Sequence, residues 1–270
     1  MIEPLVDPRV LKSVLASQNI QAAKSLGQNF LVCAEVIDAV LMGLDGGPKN
    51  VTELGPGLGT LTQGLIAHRY HVRGIEKDDE FVKILPTMLP PKLRANLNVI
   101  HGDLTEVPWE WDDEWALVGN IPYNLSGLII RLLTKMRSAP SSAIFLMQKE
   151  VVDRILMRDN NMSLLSLAIG LWGSAELLLR VPPSCFIPQP KVYSSVIQLR
   201  ASKDALPVEK REEIIAKAKS FFQAKRKQLA WTLKRTYALT DEKLSTLPVS
   251  SQLRPENLSV KDWIQLCDIL

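Results

Sequence analysis

Apolar and polar residues follow one another in a regular order of short and long segments between residues 50 and 150. The apolar runs of strand length, each followed by a polar turn, are residues 51–54, 72–76, 97–101, 115–119 and 143–147. The segments of helix length with an amphipathic pattern are residues 61–67, 79–85, 126–136 and 151–157. Strands that alternate with helices in this way predict βαβ units and a parallel sheet.

Two further strands are predicted at residues 176–181 and 192–199, on either side of a proline-rich loop. The loop is too short for a helical crossover, so we expect these two strands to pair antiparallel. The sequence therefore predicts an α/β fold with a mostly parallel, seven-stranded sheet and one antiparallel strand near its edge.

The composition changes after Arg200. Residues 202–208 are typical of a linker, and a final helix is predicted from Arg254 onward. Between them, apolar residues recur near one helix face at spacings of three and four. They are Ile214, Ala218, Phe222, Leu229 and Leu233. We therefore predict an α/β domain over residues 1–200 and a small C-terminal helical domain over residues 201–270.

The cysteines and histidines argue against a disulfide framework and against a metal site. The chain of 270 residues has three cysteines, none in a Cys-x-x-Cys pair, and three scattered histidines. This pattern favours a reducing, intracellular setting. The first residues lack the pattern of an export signal, and no apolar run reaches the ~20 residues of a membrane span. We therefore expect a cytoplasmic protein with no metal and no membrane partner.

Basic residues are concentrated in one predicted helical segment, although the net charge is only +3. Between residues 216 and 239 there are seven basic residues and no acidic one. Such a segment is either a solvated helix face or a surface that binds a polyanion.

A glycine loop follows the first strand of the predicted sheet, in the segment Glu53-Leu54-Gly55-Pro56-Gly57-Leu58-Gly59. Its glycines allow a sharp turn and the close approach of a ligand to the backbone. Glu76 ends the next strand, 21 residues after Gly55, where a carboxylate is placed to accept hydrogen bonds from both hydroxyls of a ribose. This pair also fits a dinucleotide enzyme, and such a loop on its own is often a plain turn.

Two acidic residues favour S-adenosylmethionine over a dinucleotide. Glu53 precedes the glycines, where its charge suits a cofactor that carries an ammonium and a sulfonium and would repel a pyrophosphate. Asp103 follows the third strand, where it is placed to accept a hydrogen bond from the adenine amine of the cofactor. A loop Asp is more often a turn former, but a position at the carboxyl edge of the sheet favours a ligand contact.

The segment Asn120-Ile121-Pro122-Tyr123-Asn124 directly follows the fourth strand. The exocyclic nitrogen of adenine is a poor nucleophile because its lone pair is delocalised into the ring. Two acceptors for its N–H groups, the Asn120 side-chain oxygen and the Ile121 carbonyl, would turn that lone pair toward a methyl donor. Pro122 stiffens the turn, and Tyr123 is expected to stack on the base. Methylation of adenine then needs positioning but no dedicated general base.

With these residues in place, the chain resembles the small-subunit ribosomal RNA adenine-N6,N6-dimethyltransferases, the family that includes the kasugamycin-resistance methyltransferases. The resemblance covers roughly residues 20–267. Besides the motifs above, it is carried by Lys24-Ser25-Leu26-Gly27-Gln28-Asn29-Phe30-Leu31, Phe186-Ile187-Pro188-Gln189-Pro190-Lys191-Val192 and Arg254-Pro255-Glu256-Asn257-Leu258. It implies a Rossmann-like class I methyltransferase fold with S-adenosylmethionine as cofactor.

The resemblance also implies a substrate and partners. The expected reaction is dimethylation of two adjacent adenines in a hairpin loop near the 3′ end of small-subunit ribosomal RNA, late in subunit assembly. The expected partners are ribosomal RNA and the small-subunit precursor, with the protein acting as a monomer.

Residue roles follow from the motifs and the resemblance together. The ring of Phe186 is expected to sandwich the target adenine opposite Tyr123. The expected catalytic residues are Asn120, Ile121, Pro122, Tyr123 and Phe186. The expected cofactor contacts are Gln28, Asn29, Leu31, Glu53, Gly55, Gly57, Glu76, Lys77, Asp103, Leu104 and Asn120. The expected RNA contacts are Lys225, Arg226, Lys227, Lys234 and Arg235.

Two departures from the family pattern concern the RNA-facing rim rather than the chemistry. Tyr193 stands where an Asp is common, and Met162-Ser163 replaces a Tyr-Gly pair. The alternatives are a large-subunit dimethyltransferase of the macrolide-resistance type and a non-catalytic assembly or transcription factor of the same fold. A DNA adenine methyltransferase is less favoured, because no separate sequence-reading domain is visible.

Overall fold

The structure is a computed structural model that describes residues 5–20, 29–157, 161–224 and 226–270. The strands are β1 (Phe30–Leu31), β2 (Asn50–Leu54), β3 (His71–Glu76), β4 (Leu97–His101), β5 (Trp115–Asn120), β6 (Ala143–Gln148), β7 (Gly173–Val181), β8 (Phe186–Ile187) and β9 (Ser194–Ala201). The helices are α1 (Pro8–Ser17), α2 (Ala34–Leu44), α3 (Thr60–Ala67), α4 (Asp79–Ile84), α5 (Ser126–Lys135), α6 (Lys149–Ile155), α7 (Leu164–Trp172), α8 (Val208–Gln223), α9 (Leu229–Tyr237), α10 (Asp241–Ser245) and α11 (Val260–Ile269).

Seven strands form one sheet in the order β4-β3-β2-β5-β6-β9-β7. The pairs from β4 to β6 are parallel, and β9 runs antiparallel to β6, with Phe145 opposite Ile197. The predicted fold class, a mostly parallel sheet with one reversed strand near its edge, is confirmed. Strand β2 lies between β3 and β5, so the strand order reverses there, and the carboxyl ends at such a point form the usual ligand crevice of an open α/β sheet.

The described residues fall into two compact units. The sheet unit comprises Met1–Ser126, Ser138–Val152 and Glu176–Arg200, and the helical unit comprises Gly127–Arg137, Asp153–Ala175 and Ala201–Leu270. The helical unit thus includes two earlier segments besides the one that follows residue 200. Asp153–Ala175 joins the helical unit because the apolar residues of α7 pack with α8 and α11, as in the close approach of Gly170 to Val260. Gly127–Arg137 is connected to α8 by the ion pairs Lys135–Glu212 and Arg137–Glu209.

Several elements were not predicted from the sequence. In α2 the buried residues Val36, Val40 and Leu44 recur at a helical spacing of four, so a signal for this helix was present. The strands β1 and β8 have two residues each and pair antiparallel, which is too short for any periodicity. No helix within the described ranges is long and apolar enough to cross a membrane.

The core of the helical unit is centred on Trp263 of α11. This side chain is fully buried and packs against two aromatic rings of α8. Its ring centroid is 5.5 Å from that of Phe221, edge to face, and 5.4 Å from that of Phe222, stacked. Aromatic pairs at these separations add to the free energy gained by burying the rings.

We expect Trp263→Ala to lower the free energy of unfolding by about 3–5 kcal/mol, because it removes a large buried ring and leaves a cavity. Urea denaturation of the full chain measures this loss. Ile269→Ala, at a position of the same helix that is 55% exposed, is the matched control and should change stability by less than about 0.5 kcal/mol. Equal losses in both variants would contradict the central position of Trp263.

Candidate active site

The carboxyl ends of β2, β3 and β5 bring the predicted residues to one edge of the sheet. Leu54 pairs with Ile75 on one side and with Gly119 on the other. The next residue on each strand is therefore Gly55, Glu76 or Asn120, all at the same level along the edge. Residues from three distant parts of the sequence thus meet at the point where the strand order reverses.

The glycine loop has the backbone geometry that its sequence predicts. Gly55, Gly57 and Gly59 have φ angles of 65°, 55° and 90°. A Cβ atom built on Gly59 would lie 2.3 Å from Leu85 Cδ1, so this glycine is needed for packing. A Cβ built on Gly55 would have no atom within 4 Å, so the space beside this part of the loop is open to a ligand.

Glu76 is held at the end of β3 by two backbone amides. The N–H of Gly57 donates to Oε2 and the N–H of Asp78 donates to Oε1, both at 2.9 Å. Burial raises the pKa of Glu76, while the amide donors oppose that rise. Each carboxylate oxygen retains a lone pair, so the pair of oxygens is suited to accept two neighbouring hydroxyls.

The side chain of Glu53 is buried more deeply in the protein than the sequence suggested. Its side chain is 2% exposed and accepts a hydrogen bond from the Thr62 hydroxyl at 2.7 Å, which ties the end of β2 to α3. Burial raises the pKa of Glu53 to about 7, with a smaller contribution from the charge of Glu76. In this structure Glu53 is an internal group, and its contact with a cofactor ammonium stays a prediction.

Asp103 connects the loop after β4 with the loop after β3. Its Oδ2 pairs with Lys77 Nζ at 2.8 Å, and its Oδ1 accepts the backbone and hydroxyl donors of Thr105. These contacts, the Lys77 bond first, lower the pKa of Asp103 to about 2. The Leu104 carbonyl accepts the indole N–H of Trp109 at 2.8 Å. The predicted contacts of Lys77, Asp103 and Leu104 with a cofactor stay predictions, and the structure shows how these three residues are held.

The amide of Asn120 is oriented by the backbone of Asn29. Its Nδ2 donates to the Asn29 carbonyl at 3.1 Å. A carbonyl can only accept, so the NH₂ group must face Asn29 and the Oδ1 atom must point away from it. Among the residues that the structure describes, no hydrogen bond is made to this Oδ1. Asn120 Oδ1 is therefore an available hydrogen-bond acceptor at the edge of the sheet.

Tyr123 is held by a residue that the sequence reasoning missed. Its hydroxyl lies 2.7 Å from the Oγ of Ser194, the first residue of β9. Half-burial raises the pKa of Tyr123, and the Ser194 bond opposes the rise. Ser194 directly follows Tyr193 at the end of the proline-rich loop, and this nearness to a recognised motif was the available signal. Ile121 has a buried side chain, and Pro122 adopts an extended conformation between it and Tyr123.

Phe186 lies in the hydrophobic core of the sheet unit. Its side chain is 1% exposed, and it belongs to the hydrophobic core that also contains Leu31, its partner across the β1–β8 ribbon. The ring therefore packs within the core of the sheet unit, and its predicted stacking on the target adenine stays a prediction. Gln28 lies outside the described residues.

The predicted RNA-binding residues lie in the helical unit and differ in their partners. Lys234 forms an ion pair with Asp241 at 2.5 Å, and the guanidinium of Arg235 lies over the ring of Trp231. Arg226 and Lys227 are exposed, and Lys225 lies outside the described residues.

Comparison with known proteins agrees with the resemblance seen in the sequence. The family model described as ribosomal RNA adenine dimethylase matches residues 19–270. The ribosomal RNA small subunit methyltransferase A of Legionella pneumophila (strain Lens) is 32% identical over 92% of this chain and 97% of its own length.

Two solved structures share the fold. A dimethyladenosine transferase from Plasmodium falciparum has a TM-score of 0.73 at 22% identity, over 88% of this chain and 95% of that chain. The 23S rRNA methyltransferase ErmE has a TM-score of 0.69 at 22% identity, over 89% of this chain and 98% of that chain.

The burial of Glu53 makes stability depend on pH. Its pKa rises from the ordinary 4.5 to about 7 on folding, so the folded state binds more protons than the unfolded state between these values. Stability should therefore fall as pH rises through this window, by up to about 1.4 kcal/mol per pH unit. We expect Glu53→Gln to flatten this fall, as measured by urea denaturation at pH 5 and pH 7. Glu114→Gln, an exposed change of the same kind, should leave the slope unchanged; equal slopes for all three proteins would contradict the assignment.

Proposed function

The chain belongs to the ribosomal RNA adenine dimethylase family, and on that premise we propose that it transfers methyl groups from S-adenosylmethionine to the N6 atoms of two adjacent adenines near the 3′ end of small-subunit ribosomal RNA. The chain is an rRNA adenine dimethyltransferase. The proposal adds the cofactor, the subunit and the target positions. The observation that carries it is the orientation of the Asn120 amide by Asn29.

The residues at the sheet edge fit S-adenosylmethionine. Glu76 would accept the ribose hydroxyls through the lone pairs that its two backbone donors leave free. The open space beside Gly55 would admit the cofactor close to the protein backbone. Asp103 would accept a hydrogen bond from the adenine amine of the cofactor. When bound, S-adenosylmethionine supplies an electrophilic methyl group on a sulfonium.

The target adenine would be activated by positioned acceptors. Asn120 Oδ1 and the Ile121 carbonyl would each accept one N–H of the exocyclic amine, which turns the nitrogen lone pair away from the ring and toward the methyl group. Tyr123, fixed by Ser194, would stack on the base. The alkylated nitrogen is strongly acidic, so its proton leaves to water and no side chain needs to act as a base.

The small subunit is the favoured substrate because relatives that match nearly the whole chain are named for it. The Legionella pneumophila relative is a ribosomal RNA small subunit methyltransferase A. We place the protein in the cytoplasm as a monomer, acting on ribosomal RNA in a small-subunit precursor late in assembly.

We expect Asn120→Ala to lower methyl transfer by about 10²–10³-fold, because it removes one of two acceptors that act on the reacting amine. Cofactor affinity, measured by equilibrium dialysis with labelled S-adenosylmethionine, should stay within a few-fold of the parent. Asn124→Ala, an exposed change in the same segment, is the control and should transfer at the parent rate. Turnover near the parent rate in Asn120→Ala would rule out the acceptor role.

Labelled methyl groups should pass from S-adenosylmethionine to small subunits that lack the 3′-terminal dimethyladenosines, and digestion should yield dimethyladenosine at two neighbouring positions. Purified large subunits are the control and should accept no label. Exclusive labelling of the large subunit would overturn the choice of substrate. Cofactor binding without incorporation into any immature subunit would overturn the proposed reaction.

A further inference from the structure

The helical unit contains a cavity that the proposed catalytic site does not use. Its volume is about 620 Å³, and it lies where the loop before α9 meets the segment before α11. The lining includes three cationic side chains, Arg226, Lys227 and Arg254, and one large aromatic ring, Trp231. This combination is suited to a ligand that has both an anionic part and a flat ring.

The walls of the cavity are joined by backbone hydrogen bonds. The first amides of α9, those of Leu229 and Ala230, donate to the carbonyls of Leu253 and Ser251, both at 2.8 Å. The amide of Trp231 donates to the Gln228 carbonyl at 3.1 Å. These three backbone N–H groups at the start of α9 are therefore already hydrogen-bonded and are not available to an anion. An anion in the cavity would have to be bound by side chains.

The three cationic side chains are available for an anionic ligand. Within the described part of the chain, Arg226, Lys227 and Arg254 form no ion pair, whereas Lys234 on the same helix as Trp231 is paired with Asp241. The cavity lining contains a single carboxylate, that of Glu256, so positive charge dominates. A phosphate group matches this excess of charge.

Trp231 supplies a surface for a ring. Its side chain is 40% exposed although it is large and apolar, and the Arg235 guanidinium lies 5.0 Å from its ring centroid, which fixes its orientation. An exposed indole beside cationic groups is the arrangement on which unpaired bases stack. Glu256 and Asn257 also line the cavity and offer an acceptor and an amide for the edge of a base.

We propose that this cavity binds one unpaired nucleotide of the RNA substrate, with its base stacked on Trp231 and its phosphate held by Arg226, Lys227 and Arg254. The proposal rests on the RNA substrate of the proposed function and adds a site in the helical unit that distinguishes single-stranded from duplex RNA. A cavity of this volume is within the range that small ligands occupy, and a duplex cannot offer an unstacked base to it.

The test uses the full chain and a short single-stranded RNA, with a blunt duplex of the same sequence as the second probe. Trp231→Ala should weaken binding of the single strand by about 5- to 150-fold, the loss of one base–aromatic stack, and should leave duplex binding unchanged. Trp231→Phe should retain most of the affinity. Urea midpoints of both variants should match the parent, since the ring is exposed.

The salt dependence of RNA binding distinguishes the phosphate contacts from the stacking of the base on Trp231. The slope of log affinity against log salt should be unchanged in Trp231→Ala. It should become shallower by about 0.7 when Arg226, Lys227 and Arg254 are all replaced by Gln, because the cavity then no longer neutralises the one phosphate of the bound nucleotide. Lys203→Gln, at an exposed lysine of the helical unit that does not line the cavity, is the control and should keep the parent slope.

Equal weakening of single-strand and duplex binding in Trp231→Ala, or no weakening of either, would overturn the nucleotide site. Methyl transfer tests the proposed function independently. The nucleotide site would be supported and the proposed reaction overturned if Trp231→Ala lost affinity for single-stranded RNA while the parent transferred no methyl group to any subunit. Methyl transfer by the parent together with unchanged RNA affinity in Trp231→Ala would support the proposed reaction and overturn the nucleotide site.

Discussion

The hydrogen bond from the Asn120 amide to the Asn29 carbonyl is the constraint on which the site depends. Adenine presents its exocyclic nitrogen as a donor of two N–H groups, so a protein that activates it must present acceptors. A primary amide carries a donor NH₂ group and an acceptor oxygen at similar distances from its Cβ or Cγ atom. Which of the two faces a ligand depends on the hydrogen bonds that the amide makes with its fixed neighbours. The Asn29 carbonyl fixes this orientation, because it accepts a hydrogen bond from the NH₂ group and so leaves Oδ1 to accept one from a ligand.

The parallel sheet provides the frame in which this orientation is useful. Glu76 and Asn120 are the last residues of the two strands that flank β2, and the register places both one residue beyond the partners of Leu54. The Glu76 carboxylate and the Asn120 amide, which we propose to bind the ribose hydroxyls and the target amine, are therefore positioned by backbone pairing rather than by flexible loops. Glu53 and Thr62 add a buried connection between the end of β2 and α3, directly behind the glycine loop.

The features that follow a period or a local motif could be predicted from the sequence. The strands, the glycine loop, and the positions of Glu76 and Asn120 follow from apolar runs and the turns that end them. The burial of Phe186 could not be predicted, because it depends on a two-residue ribbon with no period. The bond from Tyr123 to Ser194 joins residues 71 positions apart, so the nearness of Ser194 to the proline-rich loop could point to this residue but not to its partner. Likewise, the run of basic residues did not reveal that Lys234 is paired while Arg226 and Lys227 line a cavity.

The most direct measurement is a crystal structure of the protein with adenosine and a cofactor analogue that cannot donate its methyl group. We expect the adenosine N6 atom to lie about 2.7–3.2 Å from Asn120 Oδ1 and from the Ile121 carbonyl oxygen, with the Asn120 NH₂ group still donating to Asn29. An adenine bound elsewhere, or an Asn120 amide that has turned its NH₂ group toward N6, would contradict this expectation.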